Sequence, residues 1–133
     1  MKKIYILVLL LFFISGCKKK IKGINDPVWK MESVQIAGFF CDAMRRCSEN
    51  IKLDEDKQKL VKTRMYDASC LEIHKKSNVF ELKGYDPELI KKTVRECFQQ
   101  AKNLDCNQIR INGIAKIESC AVMRKIQKGE LVQ

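Results

Sequence analysis

Apolar side chains at Ile90, Val94, Cys97, Phe98, Ala101 and Leu104 recur at steps of three and four residues, which lays one apolar stripe along a helix. Asp86-Pro87-Glu88 stands before it: a cap, a proline whose missing N–H is harmless in the first turn, and an acid at the positive end of the helix. The same signals open an earlier helix at Asn25-Asp26-Pro27, which runs through Trp29, Val34, Ala37, Cys41 and Met44 to about Glu49. Ile36, Phe39, Phe40 and Ala43 make its middle apolar on nearly all sides, so it is expected at the centre of the core. Asp54-Glu55-Asp56 predicts a second helix start. Leu60, Val61, Met65, Ala68, Cys70 and Leu71 then give it an apolar stripe as far as His74. Lys75 to Tyr85 reads as a connector with Asn78 and Gly84 as turn residues. Val79, Phe80 and Leu82 within it either pack back on the core or form a short extended piece. Asn103 to Asn112 reads as a break or tight corner. A last helix carries Ile114, Ile117, Cys120 and Ala121 and ends near Lys128-Gly129, where glycine can adopt the left-handed cap. The expected fold is all-α: one small four-helix up-down bundle with short connections over residues 26–133.

The first 25 residues follow a different pattern. Lys2 and Lys3 precede Ile4 to Ile14, an apolar run of 11 residues, well short of the roughly 20 that a spanning helix needs. It has the length of a signal-peptide core and belongs outside any fold argument. Ile14-Ser15-Gly16 then leads into Cys17. Small residues running into a cysteine resemble the lipobox of bacterial lipoproteins. That resemblance implies cleavage of a signal peptide (residues 1–16), a diacylglycerol thioether on the Cys17 sulfur, and an acylated, palmitate-type N-terminus. Several acyl chains on one residue, at about 0.8 kcal/mol per buried CH₂, anchor a protein to a membrane without spanning it. Lys18 is not the aspartate that favours inner-membrane retention in enteric bacteria, so the resemblance points to the outer membrane, its periplasmic or surface face left open.

Cleavage there leaves 117 of the 133 residues, enough for one domain. Four lysines (Lys18, Lys19, Lys20 and Lys22) lie just after the anchor, in a basic tether over residues 17–25. Such a segment gains about 1 kcal/mol per cation near an anionic bilayer. Beyond it the charges mix evenly, which argues against a nucleic-acid partner. Seven cysteines are an odd number, and assigning Cys17 to lipid leaves six: Cys41, Cys47, Cys70, Cys97, Cys106 and Cys120. In an exported chain of this size they read as three disulfides. Six cysteines allow 15 connectivities. In an up-down bundle the first and third connections lie at the same end, which favours Cys47–Cys106. The other four divide as Cys41–Cys70 with Cys97–Cys120, each closing a hairpin, or as Cys41–Cys120 with Cys70–Cys97, which is nested. The hairpin-closing set is preferred.

Chemistry-bearing motifs are sparse. His74 sits four residues after Cys70, so the two share a helix face, but structural zinc sites use closely spaced ligand pairs and no C-x-x-C occurs. His74 is expected to be a solvated helix residue, with no metal and no cofactor. No nucleophile elbow, phosphate loop or H-E-x-x-H appears, so the chain is not expected to be an enzyme. Arg45-Arg46 and Lys91-Lys92 are exposed-looking basic pairs, read as polar helix faces. The expected function is a lipid-anchored, non-enzymatic binding module of the cell envelope. Its partner would be an envelope protein, an anionic glycan or lipid, or a host molecule. The alternative is a structural or accessory subunit of an envelope complex that uses Phe39-Phe40 as its contact surface.

The whole pattern resembles the small six-cysteine helical lipoproteins of spirochaetes, leptospiral ones in particular. The resemblance rests on Cys17 with its signal, on Phe40-Cys41-Asp42 followed by Arg46-Cys47, and on the later single cysteines. It implies a compartment and a scaffold, and no mechanism.

Overall fold

Helix α1 (Pro27–Ser48) forms where the sequence supplies both a cap and a proline. The Asp26 carboxylate accepts from the Trp29 N–H at 2.9 Å, and Pro27 occupies the first turn. A computed structural model of the chain describes residues 22–49, 52–65 and 67–130. Six further helices follow among them: α2 (Glu55–Met65), α3 (Asp67–Lys75), α4 (Pro87–Ala101), α5 (Cys106–Arg110), α6 (Gly113–Lys116) and α7 (Glu118–Lys128). The described residues contain no strand. The all-helical class expected from the periodicity is the class observed.

The core gathers around α1. Trp29 is 1% exposed, and its indole N–H donates to the Val79 carbonyl at 3.0 Å. Val79 and Leu82 thus pack back from the connector onto the core, beside Ile36 of α1, Ile90 and Val94 of α4, and Ile126 of α7. Full burial of such aliphatic side chains contributes about 1.5–3 kcal/mol each. Leu82 holds φ at +49°, a region that costs a branched side chain energy, and its complete burial keeps it there. Helix α4 starts as the sequence predicts, with Asp86 accepting from the Leu89 N–H at 2.9 Å. It packs closely on α7, where Cys97, Ala101 and Cys120 form a second buried cluster. Gly129 ends α7 with φ +71°, donating its N–H back to Ile126 and Lys125.

Three disulfides tie these elements together. Cys41–Cys70 joins α1 to α3, Cys47–Cys106 joins the end of α1 to α5, and Cys97–Cys120 joins α4 to α7. Their Cα–Cα separations of 6.0, 5.0 and 4.7 Å lie in the range that a bridge requires. Of the two arrangements left by spacing, this is the hairpin-closing one. Arg110 Nε donates to the Cys47 carbonyl at 3.1 Å, so α5 caps α1 as well as bridging to it.

Three local expectations need correction. The apolar stripe expected of the second helix is not seen in its first part, since no described side chain of α2 is buried: Leu60, assigned to that stripe, is 51% exposed. Its segment Glu55–Met65 is mostly charged, so it has too little apolar area to anchor a face. The corner at 103–112 holds the short helix α5, started by a reciprocal capping box between Asp105 and Gln108. The last helix is divided, because Ile117 is extended (φ −76°, ψ 121°) between α6 and α7.

Candidate functional site

Between α1, α3 and the connector lies a cleft of about 440 Å³. It is lined by Ile36, Ala37 and Phe40 of α1 and by Val79, Val94 and Met123. The Cys41–Cys70 bridge is one wall and fixes α3 at its distance from α1. Ile73 stands at the cleft and is 63% exposed. Polar groups are few: His74, Lys76, Ser77 and Gln127. A mostly apolar cleft of this size with a few polar groups is the usual form of a small-ligand site.

His74 is placed differently from expectation. It is half-buried rather than solvated, set edge-on to Phe80 with ring centroids 5.7 Å apart. Its Nε2 is hydrogen-bonded to Ser33 Oγ at 2.5 Å. Ser33 lies in the buried face of α1 at 0% exposure, so the serine is placed to hold the imidazole and is out of a substrate's reach. Burial penalises the imidazolium and lowers the His74 pKa from its ordinary 6.5. The possible sulfur partner is spent: Cys70 is bridged to Cys41. Among the described residues no group of three or more His, Cys, Asp or Glu could hold a metal ion.

The lowered His74 pKa has a consequence for stability. The unfolded chain binds a proton near pH 6.5 and the folded chain only at lower pH. Between those values the unfolded state carries more protons, and stability falls as pH falls. The stabilised carboxylates Asp26, Glu32, Asp42, Asp54 and Glu72 all titrate below their ordinary 3.8 or 4.5, so they leave that window clear. The urea midpoint is therefore expected to drop between pH 7.5 and pH 5.5, and His74→Gln to flatten that dependence. An equal drop in both proteins would contradict the assignment.

Each basic pair is matched by carboxylates close to it. Arg45 and Arg46 both reach Asp42, at 2.6 and 2.8 Å, and the first also approaches Glu49 at 3.9 Å. Lys91 bridges Asp26 and Glu88 at 2.8 and 2.9 Å, while Lys92 approaches Glu96 at 3.8 Å. Phe39 and Phe40 pack edge-to-face on Phe98, with centroids 5.2 and 6.4 Å away, and are half-buried rather than a free patch. Cys17, Lys18, Lys19 and Lys20 lie outside the described residues, and Lys22 is exposed. The serine that orients His74 was not anticipated from the sequence. Its signal was a small polar residue at position 33, in register with Trp29, Ile36 and Ala37.

No family model, curated protein or solved structure matches this chain.

Proposed function

We propose that the protein is an exported binding module, held on the bacterial envelope by acyl chains on Cys17, that takes an apolar ligand group into the cleft beside His74. One observation carries the location: Cys41, Cys47, Cys70, Cys97, Cys106 and Cys120 pair among themselves in three bridges, and Cys17 is the seventh cysteine of the chain. Three bridges in a body this small suit an oxidising compartment. No described helix is long and apolar enough to cross a membrane. Attachment is assigned to the anchor, with the outer membrane as its site and Lys18, Lys19, Lys20 and Lys22 as its basic tether. The body is read as a four-helix up-down bundle: α1, then α2 with α3, then α4, then α6 with α7, with α5 filling the third corner.

Two measurements test this reading. Partition into a detergent-rich phase is expected for the native chain and lost in Cys17→Ala; a native chain that stays in the aqueous phase contradicts the anchor. The apolar dye N-phenyl-1-naphthylamine is expected to fluoresce in the cleft of the Cys17→Ala protein. Adding Ile73→Glu, a change at an exposed position, is expected to weaken the dye about tenfold, the equivalent of about 1.4 kcal/mol. Unchanged dye affinity contradicts the cleft as the ligand site.

A further inference from the structure

We propose that the first two turns of α1, together with Ile24 just before them, form a face that seats against the lipid bilayer. This rests on the lipid-anchor reading and adds a second, non-covalent contact to it. Eight large hydrophobic side chains are strongly exposed among the described residues, and three of them fall within residues 24–31: Ile24 at 50%, Val28 at 70% and Met31 at 64%. The other five (Met44, Leu60, Ile73, Leu89 and Ile111) are spread over separate parts of the fold. Val28 and Met31 are three residues apart and share one side of the helix, away from the buried face of Trp29, Ser33, Ile36 and Ala37. Exposed apolar groups scattered singly need no explanation, whereas a cluster does.

The chain itself identifies the occupant. The described residues begin at Lys22, two residues before Ile24. Seven residue steps lead from Cys17 to Ile24, and even fully extended they span at most about 25 Å. A lipid on Cys17 therefore keeps this end of the body close to the headgroups. The Ile24 N–H donates to the Glu81 carbonyl at 3.1 Å, which holds the start of the face against the connector. Charge agrees. From Lys18 to Met31 there are five lysines and one acid, Asp26, whose carboxylate is engaged by Lys91 at 2.8 Å. Glu32, the next acid, is held by Arg95 through two bonds of 2.6 and 2.7 Å. Carboxylates that would repel an anionic surface are thus neutralised from α4. Apolar side chains flanked by lysines are the composition of an interfacial membrane contact.

The experiment uses the full lipidated chain in vesicles of phosphatidylethanolamine and phosphatidylglycerol. A photoreactive benzoylphenylalanine replaces Val28, Met31, Leu60 or Ile111 in turn, all of them exposed positions. Absence of free thiols outside position 17 verifies that each variant has folded. After irradiation, lipid adducts at positions 28 and 31 are expected to exceed those at 60 and 111 by about tenfold. Equal adducts at all four positions overturn the proposal, as does a crosslinked second copy at 28 or 31 in place of lipid. An alkaline wash separates the two claims. A native chain that washes off as readily as Cys17→Ser overturns the anchor reading, while the crosslink pattern before the wash still decides the docking face.

Discussion

Reducing the three disulfides is expected to lower the melting temperature by more than about 20 °C and to leave little folded protein at 37 °C. The bridges close loops with separations of 29, 59 and 23 residues. On chain entropy alone such loops contribute about 3–4 kcal/mol each. The Cys47–Cys106 loop overlaps both others, so the three contributions do not simply add. Even so, their combined effect is comparable to the whole stability of an ordinary domain, about 5–15 kcal/mol. Cys97–Cys120 should matter beyond entropy, because both sulfurs sit in a buried cluster with Ala101. Thermal melts followed by circular dichroism, with and without reductant, check this. A melting point that stays put on reduction would contradict it.

The second large effect falls on Trp29. Trp29→Ala removes the biggest fully buried side chain among the described residues and is expected to cost about 3–5 kcal/mol from packing. It also strands the Val79 carbonyl, which adds about 1–3 kcal/mol. Trp29→Phe keeps most of the apolar area and loses only the indole donor, so it should cost about the second amount alone. Urea unfolding read by far-ultraviolet circular dichroism separates the two, since Trp29 is the only tryptophan. Equal losses in both variants would show that the core tolerates the missing ring and that the hydrogen bond dominates.

Trp29 also shows where the sequence was legible and where it was not. The starts of α1 and α4 could be read directly, because an aspartate followed by proline states a cap and a first turn within two residues. The stripe Ile90, Val94, Cys97 and Ala101 could be read for the same reason: it is local, and α4 buries all four. The partner of Trp29 could not. Val79 lies 50 residues away in a connector whose three apolar residues allowed two outcomes. His74 failed in the same way. Beside Lys75 and Lys76 it looked solvated, and only Ser33, 41 residues earlier, and Phe80 make its surroundings apolar and hydrogen-bonded. Spacing reduced the bridges to two arrangements, but choosing between them required the distances between α1, α3, α4 and α7. The α5 helix was legible in principle, since Asp105 and Gln108 carry a capping-box pattern inside the segment taken for a corner.

The exposed end of α1, the tether and the anchor form one account, and it depends on the fate of seven sulfurs. Mass spectrometry of peptides from membrane-extracted protein, digested without reduction, reads all seven at once. The account predicts an N-terminal peptide that begins at Cys17 and carries diacylglycerol and an acyl chain, together with crosslinked peptides for Cys41–Cys70, Cys47–Cys106 and Cys97–Cys120. An unmodified Cys17, or an N-terminus at any other residue, would contradict it.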